Sequence, residues 1–304
     1  MDDARTRSWR PEWPCPVPQV WGTFRRGATD PTYRVVAGRH WRALSTPGGT
    51  ATLAVSPLTD GVITAHAWGE GAEWALEHLP AMLGAADDPS GFCPEHPLLA
   101  RLHRQRPHWR IARTASVWDA LVPVVIEQKV TGQEATRGIR SLLARFGDPA
   151  PGPGAEWGLR TFPAPETVAR IPSWEWLRLH IDPARSRTLI GAARVAGTLE
   201  RALPAYPELA DARLRSLAGV GIWTSAEVRA RALGDADAVS FGDYNVPRDV
   251  GWALTGSAVD DAGLAELLEP YRPHRLRVQR LIGMARLAPP RHGPRLAPRT
   301  HLPR

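Results

Sequence analysis

From Tyr33 onward, apolar and polar side chains alternate in short runs: Tyr33–Val36, Trp41–Leu44, Thr50–Val55 and Gly61–Ala67. Pro47-Gly48-Gly49 and Asp60-Gly61 break the runs, and a period of two with such punctuation predicts an antiparallel sheet. The next segment, Gly71–Leu83, spaces Trp74, Leu76, Leu79 and Met82 as a helix does, which predicts a small sheet with a helix on one face. Past Pro97 the apolar spacing changes to three and four. Helices are predicted over Pro97–His103, Ser116–Thr131, Gln133–Phe146, Pro165–Ala169, Trp174–Leu179, Pro183–Leu199, Pro207–Leu214, Ile222–Leu233, Pro247–Leu254, Gly263–Leu268 and His274–Leu287. Gly147–Gly158, rich in Pro and Gly, is expected to connect helical blocks. Residues 1–16 are expected to be a disordered arm and residues 288–304, alternating Pro with Arg, a disordered tail. The fold class is α+β, mainly α: a small α+β domain over residues 17–95 precedes an all-α core over 96–287.

With 304 residues, 43% of them hydrophobic, the chain can bury one large core or a few small ones. It has no run of apolar residues long enough to span a bilayer, so no membrane partner is expected. The N-terminus has no apolar export segment, which leads us to expect a cytoplasmic protein. Cys15 and Cys93 lie far apart, too few to hold an iron–sulfur cluster, and two free thiols are expected. His96, His103 and His108 follow no metal-ligand spacing. The net charge of +7 favours a polyanionic partner. Of the 38 basic residues only Lys129 is a lysine, which leaves few amines for Schiff-base chemistry.

The sharpest local signal is Leu217-Ala218-Gly219-Val220-Gly221-Ile222-Trp223-Thr224, which lies between two predicted helices. Glycines two apart permit a tight turn and let another backbone approach closely. Amides at the start of the following helix suit a phosphate. About twenty residues on, Asp243 stands just before Pro247, a residue that fits the first turn of a helix. Taken locally, Asp243 is equally a plain N-cap and a functional carboxylate.

The hairpin, the helix after it and the aspartate resemble the helix-hairpin-helix DNA glycosylase superfamily, and within it the DNA-3-methyladenine glycosylase II group. Ser116–Ala135, Leu179–Ala196, Leu214–Leu254 and Pro270–Leu281 extend the resemblance over most of the helical region. It implies two helical subdomains with a cleft between them, and a monomer acting on double-stranded DNA that carries damaged bases. It assigns Asp243 as the catalytic carboxylate and Trp223, Tyr244 and Tyr271 to the base pocket, with Glu227 at a pocket position where the group can carry Tyr. Gly219, Val220, Gly221 and Thr224 would meet DNA, and Gln128 and Lys129 fall where the group carries a wedge; an apolar residue is usual at the second. The carbonyls of Arg215, Leu217 and Val220 would hold a structural Na+ or K+. No cofactor is implied for catalysis.

The chemistry follows from those assignments. Breaking an N-glycosidic bond builds positive charge on the sugar, which a carboxylate in a water-poor site can stabilise while it orients the attacking water. The base must leave the stack first, and aromatic faces compensate for the lost stacking. Where lyases of this superfamily carry their amine, the chain has Trp223, so a monofunctional glycosylase of base excision repair is expected, with alkylated purines as substrate. The alternatives are a glycosylase of the same fold for deaminated or oxidised bases, and a damage-sensing DNA-binding protein that no longer cuts.

Overall fold

The computed structural model describes residues 4–57 and 60–290. Five strands form one antiparallel sheet in the order β1-β5-β4-β3-β2: β1 (Arg5–Trp9), β2 (Tyr33–Val36), β3 (Arg39–Thr46), β4 (Gly49–Pro57) and β5 (Ile63–Trp68). Thr46 pairs with Gly49, leaving Pro47-Gly48 as the two-residue turn between β3 and β4. The expected disordered arm is partly wrong. Arg5 to Trp9 pair with Ala67 to Ile63, and Arg7 Nη1 donates to the Leu76 carbonyl at 2.6 Å. An edge strand needs only backbone pairing on one side and tolerates polar side chains, so composition hides it. Of the expected tail, residues 291–304 lie outside the described residues.

Helix α1 (Val17–Trp21), hidden among prolines, buries Val17, Val20 and Trp21. With α2 (Ala72–Met82) it covers one face of the sheet, over Leu44, Leu53, Val55 and Ala65. The other face carries Trp41 stacked on Trp68 at 5.6 Å. The segment expected to be a linker packs on that pair: Trp157 lies 6.3 Å from Trp41, and a Cβ on Gly152 would meet the Trp68 ring at 2.6 Å. Pro and Gly serve there for close approach to a sheet as well as for turning.

The helical region contains α3 (Pro97–Arg104), α4 (Val117–Ile126), α5 (Gly132–Phe146), α6 (Pro165–Arg170), α7 (Ser173–Arg178) and α8 (Pro183–Ala205). It continues with α9 (Ala210–Arg215), α10 (Ile222–Val228), α11 (Val246–Thr255), α12 (Asp261–Leu268) and α13 (Arg275–Met284). The helix predicted to run to Thr131 stops at Ile126. Lys129 adopts φ +52°, and Thr131 starts α5 with a reciprocal capping box to Glu134. Helices α4 to α10 enclose one core, while α3 and α11 to α13 enclose another around Phe92, Leu264 and Val278. A third core is shared: Trp109, Ile111, Ala226, Ala230 and Leu276 pack with the α1/α2 face of the sheet.

Helix α8 organises what surrounds the site. Glu200 accepts the Val117 and Trp118 amides at 2.9 and 2.7 Å, so a carboxylate from α8 satisfies the donors that open α4. Arg185 Nη1 donates to the Ile126 carbonyl at 2.7 Å and closes the other end of α4. The histidines of α3 are structural: His96 accepts the Leu98 amide, and the His103 ring meets Phe92 edge-on at 5.2 Å. Among the described residues no helix is long and apolar enough to cross a membrane.

Candidate active site

The glycine motif forms the turn between α9 and α10. Val220 donates its amide to the Leu217 carbonyl at 3.0 Å, and the Gly221 carbonyl accepts from Ser225 at 2.9 Å. Gly219 holds φ +85°, and a side chain there would collide with Thr188 of α8, so close packing demands glycine. Gly221 differs: a Cβ on it would meet nothing within 4 Å. The turn therefore presents a bare backbone to solvent at the mouth of α10. The Val220 side chain is buried in the α4–α10 core, which leaves its main chain as the available surface.

Two of the expected DNA contacts are internal tethers. Gln128 Nε2 donates to the Gly219 carbonyl at 3.0 Å and to Thr224 Oγ1 at 2.8 Å. Thr224 is buried, so its hydroxyl braces the hairpin from within. These bonds hold Gln128 against the hairpin, and exposed Lys129 follows it at the tip of the α4–α5 turn.

Asp243 lies on the loop before α11. Its Oδ1 accepts the Asn245 and Val246 amides at 2.7 and 2.9 Å, and its Oδ2 accepts the Trp223 indole N–H at 3.0 Å. The local and functional readings thus coincide: one oxygen caps α11 while the other faces α10. Gly242, at φ +81°, anchors the loop by donating to Asp261 of α12. Trp223 packs against the α4–α10 core, whereas Phe241 and Val246 belong to the core of α11 to α13. The indole–carboxylate bond therefore joins the two helical cores.

Beyond Trp223 the α-helix gives way to a π-turn, Arg229–Leu233, a geometry that often marks functional sites. Glu227 is buried, accepts from Ser240 Oγ and pairs with Arg231. Ser240 in turn accepts the Asp243 amide on its carbonyl at 3.2 Å. Arg231 lines a cleft of about 330 Å³ with Thr23, Phe24, Arg26 and Glu127. Burial pulls the Arg231 guanidinium down to about 10, opposed by Glu127 and, more weakly, by Asp243. The cleft wall is thus linked to the main chain of Asp243 through Arg231, Glu227 and Ser240.

Two aromatics stand apart from this arrangement. Tyr244, expected in the base pocket, is 71% exposed, with Arg248 5.2 Å above its ring. Asp243 turns inward to cap α11, and its successor is turned outward. Tyr271 packs with Phe92 at 6.3 Å in the core of α11 to α13, and so reaches the site through that core. Sequence reasoning missed Arg26, Glu127, Arg231 and Ser240, which line the cleft or link it to Asp243. The Glu227/Arg231 spacing of four was the available signal; the remainder meet only in three dimensions.

No family model matches the chain. It is 27% identical over 236 residues to the probable bifunctional transcriptional activator/DNA repair enzyme AlkA of Mycobacterium tuberculosis, covering 75% of this chain and 46% of that protein. The chain thus spans about half the length of the curated relatives it matches. Among solved structures it resembles the 3-methyladenine DNA-glycosylase of Archaeoglobus fulgidus, with TM-score 0.70 and 19% identity over 88% of this chain and 94% of that one. It also resembles the Clostridium acetobutylicum 8-oxoguanine glycosylase/lyase bound to double-stranded DNA, with TM-score 0.68 and 13% identity over 94% and 98%. The chain thus shares the fold of these glycosylases, and within it the GVG turn joins α9 to α10 with Asp243 on the loop before α11.

Proposed function

We propose that this chain is a monofunctional DNA glycosylase that hydrolyses the N-glycosidic bond of a damaged base flipped from duplex DNA. The observation that carries the reading is the Asp243 carboxylate, fixed by two amides at the mouth of α11 and by the indole of Trp223, which stands two residues after the bare GVG turn. The turn grips a phosphate through main-chain amides, which positions the strand without reading sequence. The extruded sugar then meets a carboxylate whose orientation is already set. Asp243 stabilises the developing positive charge and orients the water that attacks the anomeric carbon. The base departs and an abasic site remains.

The positions of the side chains support water as the nucleophile. Trp223 occupies the helix position where an amine would serve a lyase, and Lys129 lies on the α4–α5 turn. The protein acts as a monomer in the cytoplasm on this reading. A Na+ or K+ fits the hairpin in donor chemistry: Arg215, in the last turn of α9, and Leu217 and Val220, in the turn after it, offer hard main-chain oxygens. Such an ion would tie the turn to phosphate.

For the lesion, the name of the curated relative and the flat indole of Trp223 favour alkylated purines, whose charge an aromatic face attracts. Glu227, paired with Arg231 at a position where the resembled group can carry Tyr, favours a base read by hydrogen bonds.

Asp243→Asn is the test of catalysis. Base release should fall by about 10²–10⁴-fold while binding to duplexes with an abasic analogue persists. Borohydride should trap no covalent DNA adduct. Unchanged base release by the variant, or efficient trapping of the wild type, would remove the mechanism.

A further inference from the structure

Helix α8 carries a row of unpaired arginines down its solvent face. Arg187, Arg194 and Arg201 are exposed, while Leu189, Ala192, Ala193, Ala196 and Leu199 on the other side enter the α4–α10 core. A spacing of seven falls about 20° short of two full turns, so three such positions stay within about 40° of one another. Among the described residues no carboxylate lies within 4 Å of these guanidiniums, and none of the three makes a hydrogen bond. Exposed arginines elsewhere are engaged: Arg145 and Arg178 with Glu175, Arg215 with Asp211, and Arg272 with Asp237 and Glu269.

The acids around the row do not neutralise it. Over residues 165–215, eight arginines stand against six acids, an excess of two positive charges. Asp182 pairs with Arg185 at the start of α8, and Glu200 turns inward to the amides that open α4. Of the helices packed along α8, α7 and α9 hold Glu175 and Asp211 against arginines of their own. Exposed Glu166 and Glu208 each have an arginine close by in sequence, Arg170 and Arg213. The uncompensated charge therefore falls on the row.

The row also starts at the hairpin. Thr188, next to Arg187, packs against Gly219, and Arg185 closes α4 beside the turn that carries Lys129. From Arg187 to Arg201 the helix rises about 21 Å, the length of about six base-pair steps. We propose that this row is a second contact surface for duplex DNA, in which Arg194 and Arg201 meet phosphates of the flank outside the lesion. The inference rests on the glycosylase reading and extends its footprint. Guanidiniums on a helix face bind phosphate oxygens without reading sequence, and each neutralised phosphate releases counterions. The GVG turn sets the position at the lesion, and the row ties down the duplex beside it. A merely solvated face, or one that meets an acidic protein, leaves the salt dependence of DNA binding untouched.

Binding of the full-length chain is measured over a range of salt, on duplexes with one tetrahydrofuran abasic analogue and about five or about fifteen base pairs on each side. On the longer duplex, Arg194→Gln/Arg201→Gln should flatten the slope of log affinity against log salt by about two and weaken binding about tenfold. On the shorter duplex variant and wild type should agree, because the flank that the row meets is missing. Arg194→Lys/Arg201→Lys should keep the wild-type slope, since a lysine still neutralises a phosphate. An unchanged slope for the glutamine variant on the longer duplex would overturn the proposal and leave the glycosylase reading intact. An equal loss on both duplexes would also overturn it, by placing these arginines at the lesion. Wild-type protein that binds neither duplex would sink the glycosylase reading and this inference together.

Discussion

At Gly219 the backbone holds φ +85° and a side chain would strike Thr188, whereas at Gly221 the space around a Cβ is open. The two glycines thus answer different needs, one imposed by α8 and the other by whatever approaches from solvent. Gly219→Ala should destabilise the protein by about 1–3 kcal/mol in thermal or urea unfolding. Gly221→Ala should stay within about 1 kcal/mol of the parent but bind duplex DNA about tenfold more weakly, on damaged and undamaged sequences alike. A defect confined to damaged DNA would place Gly221 in base recognition instead. Trp223 belongs to the same scale: its indole is both an aromatic face and the donor that aims Asp243 Oδ2.

Among the elements, the α4–α5 turn combines strain with exposure. Lys129 sits at φ +52°, a conformation that costs an ordinary residue about 1–2 kcal/mol, and its side chain is in solvent. The turn is held open on both sides, since Arg185 closes α4 and the Thr131/Glu134 capping box opens α5. Gln128, one residue earlier, bonds the GVG turn, so the tip is carried beside the hairpin. On the proposed function, strain maintained at an exposed tip beside the GVG turn favours Lys129 as a DNA contact. Lys129→Gly should raise stability by up to about 1 kcal/mol through relief of the backbone. In the same variant the slope of log affinity against log salt should shrink by about one. An unchanged slope would mean that this amine touches no phosphate.

For the whole molecule, the sheet and the helices share a core, and a buried ion pair crosses between them. Arg42 of β3 donates to Asp119 of α4 at 3.0 Å, with both side chains almost wholly enclosed, and the same guanidinium lies 4.1 Å above Phe24. Burial pushes the Asp119 carboxyl up and the Arg42 guanidinium down, and each counters the other's shift. Asp119→Ala should therefore destabilise the protein by about 3–5 kcal/mol, because it strands a desolvated cation. Replacing both residues by apolar ones of similar volume should recover most of that loss. Phe24 also lines the cleft, so the N-terminal segment contributes to the site's wall as well as to its support.

Much of this architecture was legible in the chain. Periods of two and of three to four are local consequences of backbone geometry, so β2 to β5 and the helices from α3 to α13 lay close to where alternation and spacing put them. The GVG turn and Asp243 were legible for the same reason: each is a short motif whose chemistry lies in consecutive residues. β1 was hidden because an edge strand declares itself only through its partner, and the Gly147–Gly158 segment because its packing depends on Trp68, far away in sequence. The ionic wall of the cleft was equally out of reach. Arg26, Glu127 and Arg231 come from three distant segments, and each alone resembles an ordinary surface residue. Only tertiary packing set Arg26 and Arg231 on either side of Glu127 and half-buried all three, and desolvation is a property of the assembled fold.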